Sequence, residues 1–271
     1  MTNSVAAPRS DRLRLRLQSA AILVPVAVAA VWFGPPWITI VVALAGLAMG
    51  WEWGRLSAAR PFGPRVAIVT IAVVAAIGVA AAGRFPLALA LAAAGALAAA
   101  LARPADRGWT AIGTLWIAAG CVSFLWLASP GTGGRTLVFC LLLVVWTTDI
   151  FAYFVGRAIG GPRLAPRLSP NKTWAGFVGG LVGGMAAGAA VALSTGAPPV
   201  QTAAISLGLA LFTQAGDLAE SWAKRHFAVK DTSGLIPGHG GVLDRLDGLL
   251  AASIAAALLT FILGDATLGL G

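Results

Sequence analysis

The sequence predicts an all-α, polytopic integral membrane protein of about nine transmembrane helices, and three observations predict it. The 271-residue chain is 58% hydrophobic and 11% charged, with a mean hydropathy of +0.86. A soluble domain carries about 25% charged residues. Apolar runs long enough to cross roughly 30 Å of hydrocarbon recur along the whole length. Glycines, prolines and charged clusters interrupt those runs throughout. In lipid a segment must satisfy its own backbone hydrogen bonds, which favours helices.

The first span is expected over 19–33, behind a tail bearing Arg9, Arg12, Arg14 and Arg16. That start resembles a signal peptide, but no cleavage site followed by a soluble domain appears, so it reads as a cytoplasmic anchor. Gly34-Pro35-Pro36 separates it from a second span at 36–54. Further spans follow at 66–83, 86–102, 110–128, 136–156, 173–194, 201–221 and 248–264. The whole of 1–271 reads as one membrane domain.

Charge placement tests the count. With the N-terminus inside, seventeen of the nineteen lysines and arginines fall on the cytoplasmic side, leaving Arg84 and Arg135 outside. Eight or ten spans would break that alternation, so the C-terminus is expected outside. The net charge of +9 therefore reports topology rather than a nucleic-acid partner. Cys121 and Cys140 lie within apolar spans without metal spacing and read as buried small hydrophobes. Span seven carries Gly176, Gly179, Gly180, Gly183, Gly184 and Gly188, a face for close helix packing inside the chain or, alternatively, between copies.

Three polar constellations lie on the expected cytoplasmic side. Asp149 sits in span six with Tyr153 one turn later; a carboxylate within a span marks a functional candidate. The loop 167–180 places Ser169, Asn171, Lys172 and Thr173 before a glycine-rich helix, a setting that suits an oxyanion. The third is 217–247, which holds five of the ten acidic residues. Asp217, Glu220 and Lys224 share a helix face; Arg225, Lys230 and Asp231 follow; His239-Gly240-Gly241 allows close backbone approach; Arg245 stands between Asp244 and Asp247. Clustered carboxylates without matching His or Cys ligands favour a hard cation, Mg2+ rather than Zn2+. Carboxylates, Mg2+ and basic groups together are the apparatus of nucleotidyl or phosphoryl transfer.

The 27-residue run from Ser221 to Asp247, with Lys224-Arg225, Lys230-Asp231, Ser233, Ile236-Pro237, His239-Gly240-Gly241, Asp244-Arg245 and Asp247 at fixed gaps, resembles the signature of the phosphatidate cytidylyltransferases, or CDP-diacylglycerol synthases. WEWGRL (51–56), Asp149 with its aromatic neighbours, SPNKTWAG (169–176) and GDLAES (216–221) extend the resemblance along the chain. Ala223 and Ala175 depart from it, standing where larger apolar and polar residues are usual. The resemblance implies transfer of the cytidylyl group of CTP to phosphatidate, with pyrophosphate released. It implies Asp217 and Asp244 as principal Mg2+ ligands, with Asp149, Glu220, Asp231 and Asp247 as further ligands or orienters. Lys172, Lys224, Arg225, Lys230 and Arg245 would hold phosphates, with Ser169, Asn171, Thr173, Ser221, Tyr153, Gly240 and Gly241 lining the substrates. His239 would donate to pyrophosphate or shape the backbone, whereas His226 reads as incidental. The number of cations stays open.

The same resemblance implies a homodimer in the inner, cytoplasmic membrane with its site facing the cytoplasm. One rival is a CTP-dependent polyprenol kinase, which would need a base for a hydroxyl acceptor. Another is a transporter, which would place its acidic residues near the bilayer midplane.

Overall fold

The computed structural model describes residues 9–58, 61–102, 106–130, 134–238 and 240–264, with the side chains of 9–17 and Ala20 left aside. His239 and the arginine side chains of the basic tail thus lie outside the described residues. Among the described residues the chain forms nine helices and one two-stranded sheet. In order these are α1 Arg9–Phe33, α2 Trp37–Ala58, α3 Pro64–Ala81, α4 Phe85–Leu101, α5 Arg107–Leu127, α6 Gly134–Ile159, β1 Arg163–Ala165, β2 Ser169–Thr173, α7 Trp174–Thr195, α8 Pro199–His226 and α9 Leu243–Leu263.

Helices α2, α3, α5, α6, α7 and α9 are long and apolar enough to cross a membrane. The apolar parts of α1 (Ala21–Phe33) and α4 are shorter. Helix α8 has 28 residues, a length of about 42 Å at 1.5 Å per residue. Its C-terminal half carries Gln214, Asp217, Glu220 and Lys224, so it is not apolar throughout.

Three boundaries differ from expectation by five residues or more. Helix α8 runs five residues past 221, and α9 starts five residues before 248. The added turns carry charged residues, and Lys224 and Asp244 pair across the junction at 2.8 Å. Helix α1 begins at Arg9 rather than 19, so part of the basic tail is helical. The β1–β2 hairpin was not expected: Arg163 pairs with Thr173 and Ala165 with Ser169, with a register irregularity between them. Gly160 and Gly161, at φ +68° and +89°, end α6 and turn the chain into it.

Helix ends alternate between the two ends of the bundle. At one end Ser19 Oγ of α1 donates to Pro237 O at 3.1 Å, and Arg65 of α3 donates to Ser57 O of α2 at 2.6 Å. Asp106 before α5 meets His226 at the close of α8 at 3.0 Å. The β1–β2 hairpin and the start of α9 lie at that end too. At the other end Trp32 of α1 contacts Phe139 of α6, and Arg135 stacks over the Trp32 ring.

Between the ends, the glycine stripe of α7 brings backbones into contact. A Cβ at Gly176 would lie 2.7 Å from Ala152 O, and one at Gly180 2.9 Å from Thr148 O, both on α6. One at Gly184 would meet Ala210 of α8 at 2.7 Å. The stripe therefore serves packing within the chain. Gln214 Nε2 adds a polar tie, donating to Phe177 O at 3.0 Å. Trp53, Met49, Ile77, Ile117 and Leu141 fill the core, along with both cysteines. In lipid such packing acts through dispersion and shape rather than water exclusion.

Candidate active site

The polar groups gather where α6, β2, α8 and α9 meet. Lys172 extends from β2 to Asp217 on α8, with Nζ 2.6 Å from Oδ2. This pair is open: the side chains are 25% and 37% exposed. Ser221 Oγ, one turn on, makes only a long 3.5 Å contact with Asp217 Oδ1. Asp149 on α6 lies within electrostatic reach of Asp217, Lys172 and Arg245. Asp247, in the second turn of α9, lies within electrostatic reach of Asp217, Asp149 and Lys224, and its Oδ1 accepts from Gly248 N at 2.8 Å.

A second cluster lies deeper. Lys224 Nζ bridges Glu220 of its own helix and Asp244 Oδ1 of α9, the latter at 2.8 Å. Its side chain is 14% exposed, and those carboxylates are 1% and 3% exposed. Asp244 Oδ2 accepts from Thr232 N at 2.9 Å, Gly241 N at 2.7 Å and Thr232 Oγ1 at 3.1 Å. One oxygen of Asp244 thus anchors backbone, while the other meets Lys224.

The remaining predicted residues surround these pairs. Thr173 Oγ1 caps α7, accepting from Gly176 N at 3.1 Å. Ser169 and Asn171 form the exposed hairpin with Arg163, which donates to Asn171 O at 3.3 Å. Tyr153 Oη accepts from Arg157 at 3.2 Å on the exposed face of α6. Arg225 ties the end of α8 to the hairpin turn, donating to Leu168 O at 3.2 Å. Lys230 and Asp231 stand exposed on the 227–242 loop. Ile236 N donates to Gly240 O at 2.9 Å, closing a small turn, and Gly240 at φ +87° takes the left-handed backbone that favours glycine. His226, read as incidental, pairs with Asp106 and stacks on Trp109 at 4.7 Å between ring centroids.

Sequence reasoning did not single out Glu52 or Arg55. Glu52, on α2, is fully buried and reaches into the 232–243 segment, accepting from Val242 N at 2.9 Å and Leu243 N at 2.8 Å. It also accepts from the hydroxyls of Thr232 and Ser233. Arg55, one turn later, donates to Thr232 O. The signal was available: a carboxylate inside an otherwise apolar helix, within the WEWGRL landmark.

Among the described residues no three carboxylates converge closely enough to cage a bare cation. A Mg2+ ion bound by one or two carboxylates, with substrate phosphates and waters, needs no such cage. Asp217, Asp149 and Asp247 within mutual electrostatic reach meet that requirement. Glu220 Oε1, buried without a hydrogen-bond partner among the described residues, is a further acceptor beside them. The donor set therefore fits a hard, oxygen-seeking cation.

The model of the Cytidylyltransferase family matches residues 14–263. A phosphatidate cytidylyltransferase of Brucella abortus biovar 1 (strain 9-941) is 39% identical over 255 residues, covering 90% of this chain and 91% of the relative. The phosphatidate cytidylyltransferase of Bacillus subtilis (strain 168) is also 39% identical, over 125 residues and 43% of this chain. That of Mycobacterium tuberculosis (strain ATCC 25618 / H37Rv) is 30% identical over 143 residues, 52% of this chain. The chain belongs to the cytidylyltransferase family.

Proposed function

We propose that this protein transfers the cytidylyl group of CTP to phosphatidate, forming CDP-diacylglycerol and pyrophosphate at a membrane surface. The observation that carries the reading is the gathering of Lys172–Asp217, Asp149, Asp247 and the Lys224 cluster at one end of an apolar bundle. The names of its relatives support the choice of substrates.

A lipid phosphate oxygen attacks the α-phosphorus of CTP in line. The new phosphorus–oxygen bond forms as the bond to the β-phosphate oxygen breaks, and the electron pair leaves with pyrophosphate. Phosphate is already nucleophilic, so the protein's task is to position two anions and offset their repulsion. A bound Mg2+ would neutralise charge on the triphosphate and the developing charge on the leaving group. Asp217 and Asp244 would be its principal ligands in this reading. Asp149, Asp247 and Glu220 complete the acidic wall. Lys172 and Lys224 hold those carboxylates now and present ammonium groups to phosphate oxygens when substrate enters. Lys230, Arg245 and the hairpin residues Ser169 and Asn171 stand at the water side, where a triphosphate arrives. Asp231 orients its basic neighbour Lys230, while Arg225 acts by holding the hairpin. His239, next to Gly240 in the sequence, is a candidate donor to pyrophosphate.

All nine helices cross the membrane in this reading, since their ends alternate and α8 is long enough. The clustering of lysines and arginines on one side supports a site that faces the cytoplasm, in the inner membrane in this reading. A homodimer completes the reading, to be checked by the mass of the purified protein in detergent.

Membranes given phosphatidate with CTP labelled at either the α- or the γ-phosphorus test the reaction. Cytidylyl transfer puts only the α-label into lipid. Lipid labelled from the γ-position would instead establish a CTP-dependent lipid kinase, and CTP-independent solute flux without turnover would establish a transporter.

A further inference from the structure

The start of α9 has an unusual cap. Its N-cap residue is Val242, which offers no side-chain acceptor to the exposed amides of the first turn. Glu52 supplies the acceptor from another helix, 190 residues away, with Oε1 taking Val242 N and Oε2 taking Leu243 N. The same carboxylate takes Thr232 Oγ1 at 3.3 Å and Ser233 Oγ. Its side chain is 0% exposed, and among the described residues it makes no salt bridge. Two backbone amides, two hydroxyls and the N-terminal end of α9 are therefore what surround this buried carboxyl group.

The contact leads directly to Asp244. Thr232 donates its backbone amide to Asp244 Oδ2 and lies between Asp244 and Glu52, its single hydroxyl proton serving one carboxylate at a time. Gly241 N also donates to Asp244. A Cβ at Gly241 would stand 2.6 Å from Glu52 Oε1, so the glycine leaves room for the clamp. Arg55 pulls Thr232 O from the same helix.

We infer that Glu52 is a positioning residue: it clamps the 232–243 segment and caps α9, which sets the placement of Asp244 for the proposed transfer. The catalytic half of this inference rests on that proposed reaction; the structural half does not.

Glu52→Gln keeps the shape and replaces one acceptor oxygen with an amide that faces donors. In the full-length protein, hydrogen exchange at the amides of 232 and 241–243 should rise at least about tenfold, while α5 and α7 amides stay unchanged. The kcat/KM for CTP should fall about tenfold to hundredfold, with the KM for phosphatidate within about twofold. Unchanged exchange at 232 and 241–243 overturns the clamp. Unchanged CTP kinetics, or equal losses for both substrates, overturn its positioning role. If Glu52→Gln does not fold, Thr232→Val with Ser233→Ala removes two donors and leaves the carboxylate; the same two readouts then decide. A wild-type protein without cytidylyl transfer would refute the proposed reaction, while the exchange data still judge the clamp.

Discussion

The two lysine–carboxylate centres differ in exposure, and that difference sets how much of the architecture each one carries. Lys172–Asp217 lies between a hairpin and a helix, with both side chains a quarter or more exposed. Lys224 is sunk between Glu220 and Asp244, whose side chains are almost wholly enclosed. An open ion pair gains little from its own attraction and exchanges readily with water or ligand. An enclosed pair is costly to break, because the remaining charge has no solvent to turn to. The open pair can thus give way to substrate at little cost in stability, whereas the enclosed cluster, whatever it contributes to the proposed reaction, also fixes the junction of α8 and α9.

Removing the enclosed lysine should have the largest effect. Lys224→Met leaves Glu220 and Asp244 facing each other in a buried site, which costs about 3–5 kcal/mol. Thermal unfolding in detergent should drop clearly, and activity should be lost with it. If stability is unchanged and only activity falls, the two centres do not differ as described.

Lys172→Met is the opposite case. Its pair is exposed, so the melting temperature should hold to within a few degrees. Losing a charge-assisted contact of about 1.5–3 kcal/mol should lower kcat/KM for CTP roughly tenfold to hundredfold in steady-state assays. A marked loss of stability here would assign the open pair a structural role as well.

The smallest effect should come from His226→Gln at the His226–Asp106 contact, whose side chains are 37% and 40% exposed. Exposed pairs contribute about 0–1 kcal/mol, so turnover should stay within about twofold. A larger loss of turnover would bring the α5 end of the bundle into the reaction.

The same contrast explains what was legible in the sequence. Long apolar runs and charge alternation carry the helical class, the order of the nine helices and most of their centres. The apolar spans are bounded at 221 and 248, where hydropathy falls off, although the spacing of Lys224 with Asp217 and Glu220, and of Asp244 with Asp247, already carries helical faces beyond those limits. The hairpin 163–173 has no two-residue alternation of apolar side chains to announce it. Within the site, Asp217, Lys224 and Asp244 were legible from type and spacing, and Lys172 from its place before a glycine-rich helix. Glu52 was not singled out because its partners, Thr232 and Val242, lie 180 and 190 residues away. Their meeting is set by packing of α2 against the start of α9.

Asp217 gives the most direct test of the central claim, that the open centre carries cation-assisted transfer. Initial rates of α-label incorporation into lipid should be measured against Mg2+ for the reconstituted wild type and for Asp217→Ala. The account predicts a fall in kcat/KM of about 10²–10³-fold with little change in melting temperature. A variant with near-wild-type rates at every Mg2+ concentration would contradict it.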